Sequence, residues 1–186
     1  MQLIVAVTGL SCVGKTTAIE HFERLGLGQR IYLGKIILDE IRERDLLSIS
    51  SNESLVRLEL REKEGPAFLV RRSVPEIEEC ITTGNTAFID AIFHQEELDY
   101  LRSSFSACKV VILGIEAELD IRTLRAATRV ERRMTYDELQ SRDKIELSRL
   151  KTRDIVSRAD HRIANNSTME NFQASLDLIW TQLTAR

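Results

Sequence analysis

The densest chemistry in the sequence lies near its start, in Gly9-Leu10-Ser11-Cys12-Val13-Gly14-Lys15-Thr16. These residues satisfy the pattern G-x-x-x-x-G-K-[ST], directly after an apolar run (Leu3–Val7) and directly before a helical pattern. Glycines at the fixed positions let the backbone curl so that successive N–H groups converge on an anion. The helix that follows turns its positive end toward the same point. A lysine in the seventh place reaches the β- and γ-phosphates of a nucleotide, and the hydroxyl after it sits on Mg²⁺. Gly9, Ser11, Cys12, Val13, Gly14, Lys15, Thr16 and Thr17 are therefore the expected contacts of ATP, with Lys15 also a catalytic charge. The competing reading, a glycine-containing turn between strand and helix, has to account for four specified residues with the correct flanks. Cys12 reads as a spacer whose backbone matters, with redox sensitivity as the alternative, since a helix N-terminus lowers a thiol pKa.

A second group of residues complements this loop. Ala87-Phe88-Ile89-Asp90 is an apolar run ending in a carboxylate, the form that holds Mg²⁺ opposite a phosphate loop, so Asp90 joins Thr16 as a metal candidate. Its other reading is a loop or helix-capping aspartate. Between Ile121 and Met134 stand five arginines and one acid. Arg122, Arg125, Arg129 and then Arg132 or Arg133 recur at spacings of three and four, so they share one helical face. Such a stripe destabilises an isolated helix and makes sense if it meets polyphosphate. Arg125 and Arg129 are the catalytic candidates, Arg122 and Arg129 contact the nucleotide, and Arg133 contacts the acceptor. A solvated face paired with Glu131, Asp137 and Glu138 is the plainer alternative. Arg57 and Arg61, one turn apart, could grip an acceptor's phosphate or pair with Glu53, Glu62 and Glu64. Arg142 and Asp143 read as a hinge or as a helix salt bridge. His21, His94 and His161 are scattered singly and point to neither a metal site nor a triad.

The elements that must position these groups alternate. Leu3–Val7, Arg30–Leu33, Ala87–Asp90 and Lys109–Leu113 are continuous apolar runs of the kind buried on both faces of a sheet, with His161–Ala164 a weaker fifth. Helical patterns fall between them, over Thr16–Leu25, Lys35–Leu47, Asn52–Lys63, Pro66–Thr82 with a break or kink near Pro75, Gln95–Arg102 and Glu118–Arg133. Thr135 with Glu138, and Ser167 with Glu170, carry the capping-box spacing that opens a helix. The last of these helices would bury Phe172, Leu176, Ile179 and Leu183. This alternation predicts an α/β fold with a mostly parallel sheet and helices on both faces, its ligand at the carboxyl ends of the strands.

The chain of 186 residues suits one domain. A formal net charge of −3, with 43% hydrophobic and 30% charged residues, gives no general attraction to nucleic acid or anionic membrane. Three cysteines without CxxC spacing predict reduced thiols and a cytoplasmic setting. No signal peptide is expected, and no run approaches the ~20 apolar residues of a membrane span.

With the phosphate loop, Asp90, the arginine stripe and the C-terminal strand and helix in place, the chain resembles the nucleoside monophosphate kinase and dephospho-CoA kinase group of P-loop kinases. The likeness runs through Tyr32-Leu33-Gly34, Leu60-Arg61-Glu62, Ile89-Asp90-Ala91-Ile92, Tyr100-Leu101-Arg102 and Ile163-Ala164-Asn165-Asn166. It implies a three-layer α/β/α fold around a five-stranded parallel sheet of order 2-3-1-4-5. It also implies an acceptor-binding region at about residues 35–82, an arginine-bearing lid at about residues 117–150, and Asn165 near the adenine. Two positions depart from the group. Lys35 stands where dephospho-CoA kinases carry an aspartate serving the acceptor hydroxyl, and Phe93 stands where a related branch tends to carry arginine. Lys35 thereby becomes an acceptor-contact candidate, and the expected activity is ATP- and Mg²⁺-dependent phosphorylation of a nucleoside monophosphate-type acceptor. A dephospho-CoA-like hydroxyl kinase and a polynucleotide kinase are the alternatives. A GTPase is disfavoured by the absence of N-K-x-D and of a D-x-x-G glycine after Asp90. The partner expected is a small-molecule phosphate acceptor, with nucleic acid less favoured, no membrane, and a monomer or homodimer.

Overall fold

The structure is a computed structural model that describes residues 2–129, 133–148, 150 and 152–185. Its elements are β1 Leu3–Thr8, α1 Lys15–Arg24, β2 Gly28–Tyr32, α2 Lys35–Glu43, α3 Ser50–Glu64, α4 Phe68–Thr82 and β3 Thr86–Asp90. There follow α5 Gln95–Ser104, β4 Lys109–Glu116, α6 Leu119–Thr128, α7 Tyr136–Ser148, α8 Thr152–Ser157, β5 His161–Ala164 and α9 Met169–Thr184. All the strands pair in parallel, in the order β2-β3-β1-β4-β5, as expected.

Because successive side chains of a strand point to opposite faces, β1 feeds two cores. Ile4 and Ala6 pack with Ile31, Phe68, Ile77, Ile89 and Leu101. Val5 and Val7 pack with Ile19, Phe22, Leu113, Phe172 and Leu176. The sheet is thus covered on both sides, and the carboxyl ends of β1 and β3 open together where Val7 pairs with Asp90.

Several boundaries differ from the sequence reading, each for a physical reason. α4 does not break at Pro75. Pro75 lies on the exposed side, where water can serve the carbonyl left without an N–H, while Ile77, Cys80 and Ile81 anchor the rest of the helix in the core. α9 is capped by Thr168, whose hydroxyl accepts from Asn171 N–H at 3.4 Å, rather than by Ser167. Its expected apolar face, Phe172, Leu176, Ile179 and Leu183, is buried. The Thr135–Glu138 capping box forms, with Thr135 N–H donating to Glu138 Oε2 at 2.8 Å and Glu138 N–H to Thr135 Oγ1 at 3.3 Å. α6 stops at Thr128, because Arg129 turns extended at φ −58°, ψ 141° and Met134 N–H reaches back to Ala126 O at 3.1 Å. The arginine stripe therefore leaves the helix after Arg125, and Arg132 lies outside the described residues. A short further helix, α8, has no counterpart in the helical patterns of the sequence. Among the described residues no helix is long and apolar enough to cross a membrane.

Candidate functional site

The loop between β1 and α1 needs conformations that only some residues accept. Gly9 sits at φ 142° and Gly14 at φ 106°, while Cys12 takes φ 64°. A Cβ on Gly14 would stand 2.5 Å from Asn165 Nδ2, and one on Gly9 2.2 Å from Ile115 O, so both positions also need glycine for space. Asn165, at the end of β5 and 5% exposed, donates from Nδ2 to Val13 O at 2.8 Å. It thus ties the loop to the far edge of the sheet. Thr8 Oγ1 donates to Ile92 O at 2.8 Å, joining the loop's start to the segment after β3.

Lys15 is half-buried and curls back over its own loop, donating to Gly9 O and Leu10 O, both at 2.8 Å. Its ammonium is also 5.3 Å from the Phe93 ring centroid. Burial lowers its pKa, and the negative charges of Glu146 and Asp90 partly offset that. Asp90 is buried at the end of β3. Its Oδ2 accepts from Arg30 Nε of β2 at 2.8 Å, and Arg30 in turn lies over the Tyr32 ring at 4.7 Å. Thr16 and Thr17 fall in the first turn of α1.

A carboxylate from α7 enters this loop. Glu146 is 3% exposed and accepts from Ser11 N–H at 2.9 Å and from Ser11 Oγ at 2.8 Å. Arg142, one turn earlier, donates from Nε to Glu146 Oε1 at 3.0 Å. A second clasp holds the same helix. Arg122 of α6, 4% exposed, meets Asp143 in a two-pronged pair at 2.8 and 2.6 Å, and also donates to Ser11 O at 3.2 Å. Arg142 thus makes a salt bridge within its own helix, to Glu146, while Asp143 pairs across to Arg122 of α6.

The remaining arginines divide. Arg125 donates to Asn165 O at 3.0 Å, Asn165 Oδ1 at 3.1 Å and Val13 O at 3.5 Å, so it lies against the loop's outer edge. Arg129 is exposed, 3.8 Å from Cys12 Sγ, and Arg133 is exposed and donates to Arg129 O at 2.7 Å. Lys35, first residue of α2, is exposed.

Arg57 and Arg61 stand one turn apart on α3, and Arg57 lies within electrostatic reach of Arg142. Glu64 is taken by Arg72, and among the described residues neither Arg57 nor Arg61 makes an ion pair. Arg61 Nε is buried without a hydrogen-bond partner. Burial lowers the pKa of both; at Arg57 the repulsion of Arg142 and Arg61 adds to this while Glu53 partly offsets it, and at Arg61 the charges of Glu97 and Glu96 partly offset burial. Close by, Glu97 of α5 is 1% exposed and accepts from Phe93 N–H at 2.9 Å and His94 N–H at 3.1 Å. Burial raises its carboxyl to about 7 despite those donors and Arg61. His94, with Nε2 buried and unpartnered, is lowered to about 4 by burial and by Arg61.

Sequence reasoning passes over Glu146, Glu97 and Arg30, and reads His94 only as one of three singly scattered histidines. The only available signal for Glu146 was its spacing of four from Arg142, an ordinary helix pair. Nothing local says that this pair folds onto Ser11, 135 residues away. One surface groove of about 570 Å³, lined by Thr17, Glu20, Glu23, Arg24, Met169 and Gln173, lies between α1 and α9 and includes neither a loop glycine nor a lid arginine.

This sheet order and loop define the fold of the P-loop kinases. A shikimate kinase from Bacteroides thetaiotaomicron aligns over 98% of this chain and 99% of its own at TM-score 0.62 and 16% identity. A sugar kinase from Janibacter sp. aligns over 99% and 96% at TM-score 0.60 and 17% identity. By sequence, the chain is similar to a UPF0200 protein of Thermococcus gammatolerans, at 26% identity over 92% of this chain and 90% of the relative. It is also similar to a UPF0200/UPF0201 protein of Archaeoglobus fulgidus, at 28% identity over 97% of this chain and 55% of the relative. A UPF0200 protein of Methanosarcina mazei is 27% identical over 93% and 91%. No family model matches the chain.

Proposed function

We propose that the protein is an ATP-dependent phosphotransferase that moves the γ-phosphoryl group onto a small anionic acceptor of the nucleoside monophosphate type. The observation that carries this reading is the buried, unpartnered Nε of Arg61 beside Arg57, which feels the charge of Arg142, in a chain whose phosphate-loop amides and lysine suit a triphosphate. A buried guanidinium N–H without a partner is costly, so its place in the fold calls for an anion. An acceptor phosphate there would present its oxygen to the γ-phosphorus, and the bond from that phosphorus to the β–γ bridging oxygen would break, releasing ADP. With an anionic acceptor, positioning and charge neutralisation supply most of the catalysis. Lys15 serves the β- and γ-phosphates, Arg125 and Arg129 close over the nucleotide, and Arg57 and Arg61 hold the acceptor.

Mg²⁺ fits the residues present. Thr16 offers a hydroxyl, and Asp90 meets Arg30 through Oδ2 only, which leaves Oδ1 for a hydrated cation. One or two protein oxygens are the usual share for this ion, the phosphates and water providing the rest. When bound it would neutralise charge on the β- and γ-oxygens.

The test is ADP release from Mg²⁺-ATP in the presence of ribo- and deoxynucleoside monophosphates, dephospho-CoA and a short oligonucleotide. One monophosphate is expected to stimulate turnover. Arg61→Gln should raise its half-saturating concentration roughly tenfold or more while that for ATP holds, since one charge-assisted contact is lost. Stimulation by the oligonucleotide alone would overturn the small-molecule reading.

A further inference from the structure

Glu146 makes contacts of the kind a phosphate oxygen would make. Its two carboxylate oxygens take the Ser11 amide at 2.9 Å, the Ser11 hydroxyl at 2.8 Å and the Arg142 guanidinium at 3.0 Å. It is also the largest charge raising the pKa of Lys15. A backbone amide of the loop, a guanidinium and the loop lysine form a site for an oxyanion, and here the oxyanion belongs to the chain itself. The carboxylate is nearly sealed from water at 3% exposure, so this is a built contact and not a surface pairing. The adjacent Arg122–Asp143 pair is also buried, and it fixes α7 in the register that delivers Glu146 to Ser11.

We infer that Glu146 is an internal anion that competes with nucleotide phosphate for the loop, so that nucleotide enters only as α7 withdraws this carboxylate. The inference rests on the phosphate-loop reading above and adds its regulation. Two anions cannot share the Ser11 amide, so each withdraws what the other gains. Ligand and carboxylate are therefore linked, and the apparent affinity for phosphate is reduced by the fraction of molecules in which Glu146 is docked. Once Glu146 leaves, Arg142 loses its carboxylate partner while standing near both the loop and Arg57, where it can serve a phosphoryl group. The helix then acts as more than a cover, since it holds the loop's charge balanced until a better anion arrives.

Calorimetry with inorganic tripolyphosphate tests this without relying on turnover or on recognition of a base. The proteins compared are wild type, Glu146→Gln, Glu146→Ala and, as a control for lost charge on the same helix, Asp137→Asn, an exposed position. Circular dichroism melts confirm that each is folded. Glu146→Gln is expected to bind about tenfold more tightly than wild type, Glu146→Ala at least as tightly as Glu146→Gln, and Asp137→Asn within about twofold of wild type. Tripolyphosphate binding that is unchanged or weaker in both Glu146 variants would overturn the competition while leaving the phosphate loop intact. An equal gain in Asp137→Asn would reduce the effect to general repulsion and overturn it as well. No uptake by any of the four proteins would instead bring down the phosphate-loop reading, and this inference with it.

Discussion

At the scale of single residues, the site is a set of charges placed where water is scarce, and their neighbours decide what each can do. The pKa of Lys15 is pulled down by burial and held up in part by Glu146 and Asp90. Glu97 and His94 form an opposed pair at the start of α5. Glu97 rises from 4.5 to about 7, so the stability it contributes is complete below pH 4.5 and is lost as pH climbs through about 7. His94 falls from 6.5 to about 4, so its contribution is complete above pH 6.5 and is lost as pH drops through about 4. Over roughly pH 4.5–6.5 the two slopes oppose each other and partly cancel. Glu97→Gln removes one of them. The variant should be least stable relative to wild type near pH 5, and the gap in melting temperature should close as pH rises to 7.5. A gap that stays constant across that range would show that Glu97 does not titrate there.

At the scale of elements, the parts legible in the sequence were those whose physics is local. The loop from Gly9 to Thr16 is contiguous, and its glycines, lysine and flanking strand announce it; the apolar runs of β1, β3 and β4 likewise show their burial. The start of α7 shows in the Thr135–Glu138 spacing, but its buried face does not read that way. Its buried residues are Leu139, Asp143 and Glu146, at helical spacing, so its inward face carries one leucine and two acids. A pattern that identifies core by apolar periodicity sees such a helix as solvent-facing. The stripe Arg122, Arg125 and Arg129 was visible as a stripe, but the pairing of Arg122 with Asp143, 21 residues on, was not. The same polar face makes α7 a weak unit, with little apolar area to hold it and, in its place, the Arg122–Asp143 ion pair and the hydrogen bonds from Ser11 to Glu146. Asp143→Ala leaves the buried Arg122 without its partner, and freeing the helix lets water reach that guanidinium. Amide exchange over residues 136–148 is expected to quicken at least tenfold while β1 and β4 keep their protection, as read by exchange mass spectrometry. Exchange that stays slow throughout α7 would mean that Leu139 and the Glu146 contact hold it unaided.

At the scale of the whole molecule, the site exists only because distant segments meet. The loop after β1, the segment after β3, α6, α7 and the end of β5 each bring a group to the loop's surroundings, and Asn165 alone spans 152 positions to reach Val13. Unfolding scatters them, so a ligand that needs several of them binds the folded chain and not the unfolded one. If nucleotide binds as proposed, linkage makes it a stabiliser: at one hundred times its dissociation constant it would add about 2.7 kcal/mol. In a domain of this length each kcal/mol moves the midpoint by about 2–4 °C, so saturating Mg²⁺-ATP should raise the melting temperature by roughly 5–10 °C. Lys15→Ala separates this effect from nonspecific ion binding, because it removes the charge at the centre of the loop while leaving the sheet and both cores untouched. Its own melting temperature should stay close to wild type, and most of the shift with Mg²⁺-ATP should vanish. A shift that survives intact in Lys15→Ala would place the nucleotide elsewhere on the molecule, and the assignment of the loop from Gly9 to Thr16 would fall.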